Sequence, residues 1–167
     1  MGKGDIRIYD LGGRNVVPVR KFRVLDTGNQ TAINAGELVK IEPTGINYVV
    51  PLADADPNCS ADYVVGLAAD DSDSTSSAGG TVDVYLDLPG IIYRAKVKTA
   101  TDADTQTEID DRLNYRVVID LTSSKYTVDN TATDAKDNAL ILLGGNPDQS
   151  EVDFAIADGA TWRNWAA

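Results

Sequence analysis

The sequence contains no histidine and one cysteine, Cys59. Without histidine the chain cannot build a serine–histidine relay, a histidine zinc site or an imidazole acid/base pair, which removes most ordinary hydrolase schemes. A lone cysteine makes no intramolecular disulfide and no cysteine-pair zinc site. Its sequence neighbours Asp54, Asp56 and Asp62 would also raise a thiol pKa, which argues against a nucleophile. There is no Walker sequence and no dinucleotide fingerprint. The doublet Gly12-Gly13 lacks a flanking strand and helix and reads as a flexible joint. Aromatic residues make up 7% of the chain, too few to spare platforms for a sugar cleft between paired carboxylates. No catalysis and no cofactor are expected.

Also lacking are an apolar run long enough to span a membrane and a signal-peptide core after Met1, so a soluble protein is expected. Acidic residues outnumber basic ones by 26 to 15, and a net charge of −11 disfavours nucleic acid and anionic lipid as partners. The cations gather in two places, Arg14, Arg20, Lys21 and Arg23 near the start and Arg94, Lys96 and Lys98 in the middle. Such a grouping suits an acidic protein surface as well as a phosphate polymer.

The length of 167 residues and the 43% apolar content fit one globular body with an elaborated arm. Residues 1–15, rich in glycine and mixed in charge, read as a flexible N-terminal arm. The alternation of Ile6 and Ile8 would let that arm add a strand to a neighbour's sheet edge. Residues 16–167 read as a single β-rich domain. Val16, Phe22 and Val24 on one face, with Val17 and Val19 on the other, predict a strand covered on both sides for part of its length. Residues 35–41 and 46–50 flank Pro43 and Gly45 as a hairpin. Residues 63–68 predict a further strand, followed by a Ser/Asp-rich loop over 70–80. Val82, Val84, Leu86 and Leu88 alternate with polar partners, predicting one buried and one solvated face. Pro89-Gly90 favours a type II turn, which suits a bend carrying the chain onward at least as well as a tight reversal.

A short helix is predicted over about 106–113, because Thr105 and Glu108 have the spacing of a capping box. Strands follow at 115–121, 125–129, 139–143 and 152–157, with Gly144-Gly145-Asn146-Pro147-Asp148 as a loop. The fold class is therefore mainly β, a β-barrel or sandwich with one short helix.

The best carboxylate group is Asp54, Asp56 and Asp62 with Asp70, Asp71 and Asp73, which would meet around a calcium ion only if their loops share one end of the sheet. Its spacing matches no calcium loop, and solvated loop aspartates are the commoner case. Trp162 and Trp165 flank Arg163 near the end, where tryptophans either plug the base of a barrel or anchor a partner.

Three segments carry a likeness: Ile33-Asn34-Ala35-Gly36-Glu37-Leu38-Val39-Lys40-Ile41, Val65-Gly66-Leu67-Ala68-Ala69-Asp70 and Ala78-Gly79-Gly80-Thr81-Val82-Asp83-Val84-Tyr85-Leu86. The chain resembles the small head decoration, or cement, proteins of tailed bacteriophages. The stretches Asp87 to Lys96 and Val118 to Ser124 are similar to phage virion proteins of this kind. The resemblance spans most of residues 16–160 and is one of style rather than of a diagnostic motif.

It implies a β-tulip-like barrel body on the outside of a virion capsid, assembled in host cytoplasm. It also implies contacts with the major capsid protein and with further copies of the chain as trimers or dimers. The chain is longer than the smallest members. Contact residues expected on this basis are Ile6, Ile8, Tyr9, Leu11, Arg14, Val16, Trp162 and Trp165. A rival reading is a calcium- or carbohydrate-binding module of a head or tail fibre, using Tyr85, Tyr93 and the loop aspartates.

Overall fold

A computed structural model describes residues 6–24, 32–42, 48–59, 61–73, 80–122, 125–131 and 137–161. Trp162 and Trp165, the 43–45 turn and most of the Ser/Asp-rich loop lie outside the described residues. The first strand, β1 (Arg7–Asp10), falls within the expected arm. It is not held away from the body but pairs antiparallel with β7 (Ile92–Lys96), Ile8 opposite Tyr93. The alternation that suits strand addition to a neighbour is satisfied within the same chain, whose own edge is always at hand. Ile6 is buried in the core just before it.

The next part of the chain closes a five-stranded barrel from β2 (Val19–Val24), β3 (Leu38–Ile41), β4 (Tyr48–Pro51), β5 (Val64–Ala68) and β6 (Thr81–Leu86), ordered β2-β4-β3-β5-β6. Val82 and Val84 of β6 point inward with Val24, Val39, Val49 and Val65, and Leu86 packs against them. Asp83 and Tyr85 take the outer face, as their alternation requires. The start of β2 departs from the sequence reading. Pro18 precedes the strand, and Val16 and Val19 are 73% and 50% exposed, so this strand is covered on one side only. Gly66 of β5 lets β5 and β6 approach: its φ is +153°, and a Cβ there would lie 1.9 Å from the Tyr85 carbonyl oxygen.

After Leu86 the Pro89-Gly90 bend carries the chain out of the barrel into a six-stranded sheet. Its further members are β8 (Arg116–Thr122), β9 (Lys125–Asp129), β10 (Leu140–Asn146) and β11 (Glu151–Ile156), ordered β1-β7-β11-β10-β8-β9. The sheet curls until Val97 bridges Val128, and Tyr93, Phe154, Leu140, Ile119 and Val128 fill its concave side.

Helix α1 (Gln106–Asp110) is capped as predicted. Thr105 accepts from the Glu108 N–H while the Glu108 carboxylate accepts from the Thr105 N–H. It ends earlier than its sequence pattern, with 111–114 turning instead. Gly144, Gly145 and Asn146, expected in a loop, instead continue β10 opposite Asp153, Val152 and Glu151. A register shift after Leu142 takes up the irregularity, and a Cβ on Gly145 would lie 2.4 Å from the Glu151 carbonyl oxygen, so the glycines serve close strand approach. Leu38, Leu52, Val64 and Leu67 from the barrel half join the sheet's core, so barrel and sheet share one apolar interior.

Candidate functional site

The segment joining β1 to β2 crosses the outside of the barrel and leaves a groove of about 530 Å³ beneath it. Leu67 and Tyr85 on the outer face of β5 and β6, with Ile6 and Val17, are among its lining residues, together with Ile8, Leu11 and Val16 of the crossing segment. The lining is mostly aliphatic because the outer face of a barrel strand must be apolar wherever another element lies over it.

Two local devices hold the crossing segment in place. Gly12 and Gly90 meet backbone to backbone: a Cβ on Gly12, whose φ is +62°, would sit 2.7 Å from the Gly90 carbonyl. The Arg14 guanidinium donates to the Pro89 carbonyl oxygen at 2.7 Å. β1 itself is fastened across β7, where Arg7 donates two hydrogen bonds to the buried Glu151 carboxylate of β11, and β7 is joined to β11 by Arg94, which donates two to Asp153. The hydrogen bonds from Arg7 hold the Glu151 carboxyl below the usual carboxylate range, against the effect of its burial.

The residues expected to contact a partner divide accordingly. Ile6 is part of the core, 3% exposed, and meets the groove only at its floor. Tyr9 is exposed, with the Arg94 guanidinium 3.5 Å from its ring centroid. Ile8, Leu11 and Val16 line the groove, and Arg14 ties Leu11 and Pro89 at its end. Trp162 and Trp165 lie outside the described residues. Sequence reasoning missed Leu67 and Tyr85 as partners of the N-terminal segment, because their outward positions on strands carry no sign of what lies over them.

The loop aspartates do not converge. Asp54 accepts from the Leu121 N–H at 2.9 Å, Asp70 from Asp83, Asp71 from Ala35 and Asp73 from Thr81. Asp56 and Asp62 do meet, but around the Lys40 ammonium, 2.7 Å from each. Burial works against that ammonium, yet the hydrogen bonds to Asp56 and Asp62 outweigh it and hold its pKa above the ordinary lysine value. A cation would have to displace an ammonium already seated there. Among the described residues no group of three or more acidic or thiol side chains is placed to hold a metal ion.

Cys59 is half-buried, with the Arg116 guanidinium donating to its Sγ at 3.5 Å. Tyr93, a candidate sugar contact, is fully buried, stacks on Phe154 and donates to Asp87. No protein-family model matches the chain, and no curated protein matches it.

Proposed function

We propose that this chain is a structural virion protein that binds the outer surface of a phage capsid, braces contacts between major capsid proteins, and assembles there with further copies of itself as a trimer or dimer. The observation that carries the reading is the apolar groove with the exposed Val16 on its lining, mounted on two β layers that share a core. A cement protein needs a stiff scaffold, an apolar contact surface and high solubility before assembly, and a net charge of −11 serves the last. Weak contacts repeated at symmetric lattice positions would add up through avidity.

The rival reading as a calcium- or sugar-binding module loses its main supports, since Tyr93 is interior and the aspartates are committed to backbone donors and to Lys40.

The test is co-purification. Particles of the phage that encodes the chain should carry it in hundreds of copies on their outer face, and added protein should co-sediment with shells that lack it. Purified particles without the protein, together with shells that do not bind it, would overturn the reading. Deleting residues 1–15 is a poor probe, because it removes β1 and the buried Ile6 along with any contact surface. Val16→Asp, at an exposed position, separates binding from folding.

A further inference from the structure

Lys40 of β3 holds a place that no other lysine among the described residues shares. Its Nζ is 2.7 Å from Asp56 Oδ2 and 2.7 Å from Asp62 Oδ1, and the three side chains are only 18%, 16% and 9% exposed. Lys98 also meets two aspartates, Asp120 and Asp129, but its side chain is 44% exposed and water supports its charge. The strand register sets up the first contact. Lys40 lies opposite Val64 across the β3–β5 ladder, and Asp62 stands two residues before Val64, so the two side chains meet as diagonal neighbours. Main-chain donors complete the group: Asp62 Oδ2 accepts from the Asn58 N–H at 2.8 Å, and Asp56 Oδ2 accepts from the Ala53 N–H at 2.7 Å as well as from Lys40. Burial is the strongest single influence on both Lys40 and Asp56, drawing the lysine down and pushing the carboxyl up, and at Asp56 it prevails. Both effects favour an amine beside a carboxylic acid over an ion pair. At Lys40 the hydrogen bonds prevail, so the ammonium is the resting form and the amine the reactive one.

We propose that this triad is a self-processing site, at which Lys40 and Asp62 condense into an intramolecular isopeptide bond while Asp56 carries a proton between them. A nitrogen at 2.7 Å from one carboxylate oxygen lies roughly 3.5 Å from the carboxyl carbon, within near-attack distance. The Lys40 ammonium first passes a proton to the Asp62 carboxylate. The freed lone pair then attacks Asp62 Cγ and forms the C–N bond, and the Asn58 N–H stabilises the oxygen of the tetrahedral intermediate. Asp56 takes the next proton from Nζ and delivers it to the Asp62 hydroxyl. The C–O bond breaks, water leaves, and the amide remains. Nothing is oxidised or reduced, Asp56 ends as it began, and no co-reactant is needed. The product ties β3 covalently to the residues that lead into β5, across the 52–62 corner.

Intact-mass spectrometry of the full chain, purified folded and denatured for the measurement, reads the bond directly. The expected mass is one water below that of the sequence, and proteolysis should yield a branched peptide joining Lys40 to Asp62. Lys40→Arg keeps the positive charge but has no amine to condense, so it should return the full sequence mass. Asp56→Asn retains both condensing groups but cannot shuttle the proton, and most of its chains should stay at full mass. Circular dichroism and thermal unfolding verify that both variants are folded. The wild-type mass is decisive without them: folded wild-type protein at the full sequence mass would overturn the proposal. So would a water loss that persists in Lys40→Arg, which would arise elsewhere in the chain, or a branch that maps to Asp56. Complete cross-linking in Asp56→Asn would overturn the proton-carrying role. The bond is read on the isolated chain, so its absence leaves the capsid reading standing, and a chain that ignores shells leaves the bond standing.

Discussion

Arg7 of β1 and Glu151 of β11 join two strands that do not pair with each other: the guanidinium reaches over β7 and donates to both carboxylate oxygens, at 3.0 and 2.7 Å. The carboxylate is buried and the arginine half in water, so the pair fastens the N-terminal strand by a fork-to-fork contact that a lysine could not reproduce. Arg7→Lys or Arg7→Ala should therefore loosen β1 locally. Amide hydrogen exchange over residues 6–10 should speed up by about tenfold or more, while the barrel strands keep their protection. Unchanged exchange in Arg7→Ala would mean that backbone pairing with β7 alone holds β1.

The same pair predicts an acid dependence. The Glu151 carboxyl is held down by Arg7 in the folded chain, so its contribution is fully present above its unfolded pKa, near 4.3, and is lost as pH falls through the folded value. Urea midpoints should be flat near neutrality with respect to this group and decline below pH of about 4. Glu151→Gln should be less stable at neutral pH and show a shallower acid limb; identical acid limbs would assign the decline to other carboxylates.

Lys40 is the cation of the 52–62 corner, where it draws Asp56 and Asp62 against β3. Replacing it with methionine leaves two largely buried carboxylates facing each other, at a cost of about 2–4 kcal/mol. The check is urea denaturation of Lys40→Met. A double variant with Asp56→Asn and Asp62→Asn should recover part of the loss, and a Lys40→Met variant as stable as wild type would show that the corner is held by backbone bonds.

At Gly66 the backbone carbonyl of Tyr85 occupies the space a Cβ would need, and the φ of +153° is closed to other residues. Gly66→Ala should cost more than about 4 kcal/mol, giving insoluble or unfolded protein. Gly13 is the control. It too has a positive φ, but nothing lies within 4 Å of an added Cβ, so Gly13→Ala should fold at a cost of about 1 kcal/mol. Expression level and thermal midpoint distinguish the two.

Local pattern was enough for the strands with a clean period. The alternation of Val82 and Val84 with Asp83 and Tyr85, the Thr105–Glu108 box and the onward bend at Pro89-Gly90 each express a preference of a few neighbouring residues, and each is present in the folded chain. The second glycine doublet was misleading for a physical reason. Gly144-Gly145 resembles a loop by composition, yet the absence of side chains there is what admits the Glu151 backbone and lets β10 continue.

The absence of histidine, the acidity and the gathering of Arg14, Arg20, Lys21 and Arg23 are properties of the chain before it folds, and with the β period they determined the fold class and the expectation of a binder. Only the tertiary structure decided that β1 lies on the chain's own sheet, that a groove opens over Leu67 and Tyr85, and that Asp56 and Asp62 close on Lys40. Those facts join residues far apart along the chain: Arg7 and Glu151 are separated by 144 positions. No local periodicity encodes such a meeting. It follows from which edges and apolar faces remain uncovered after the strands have formed, and burying them is a choice made by the whole molecule.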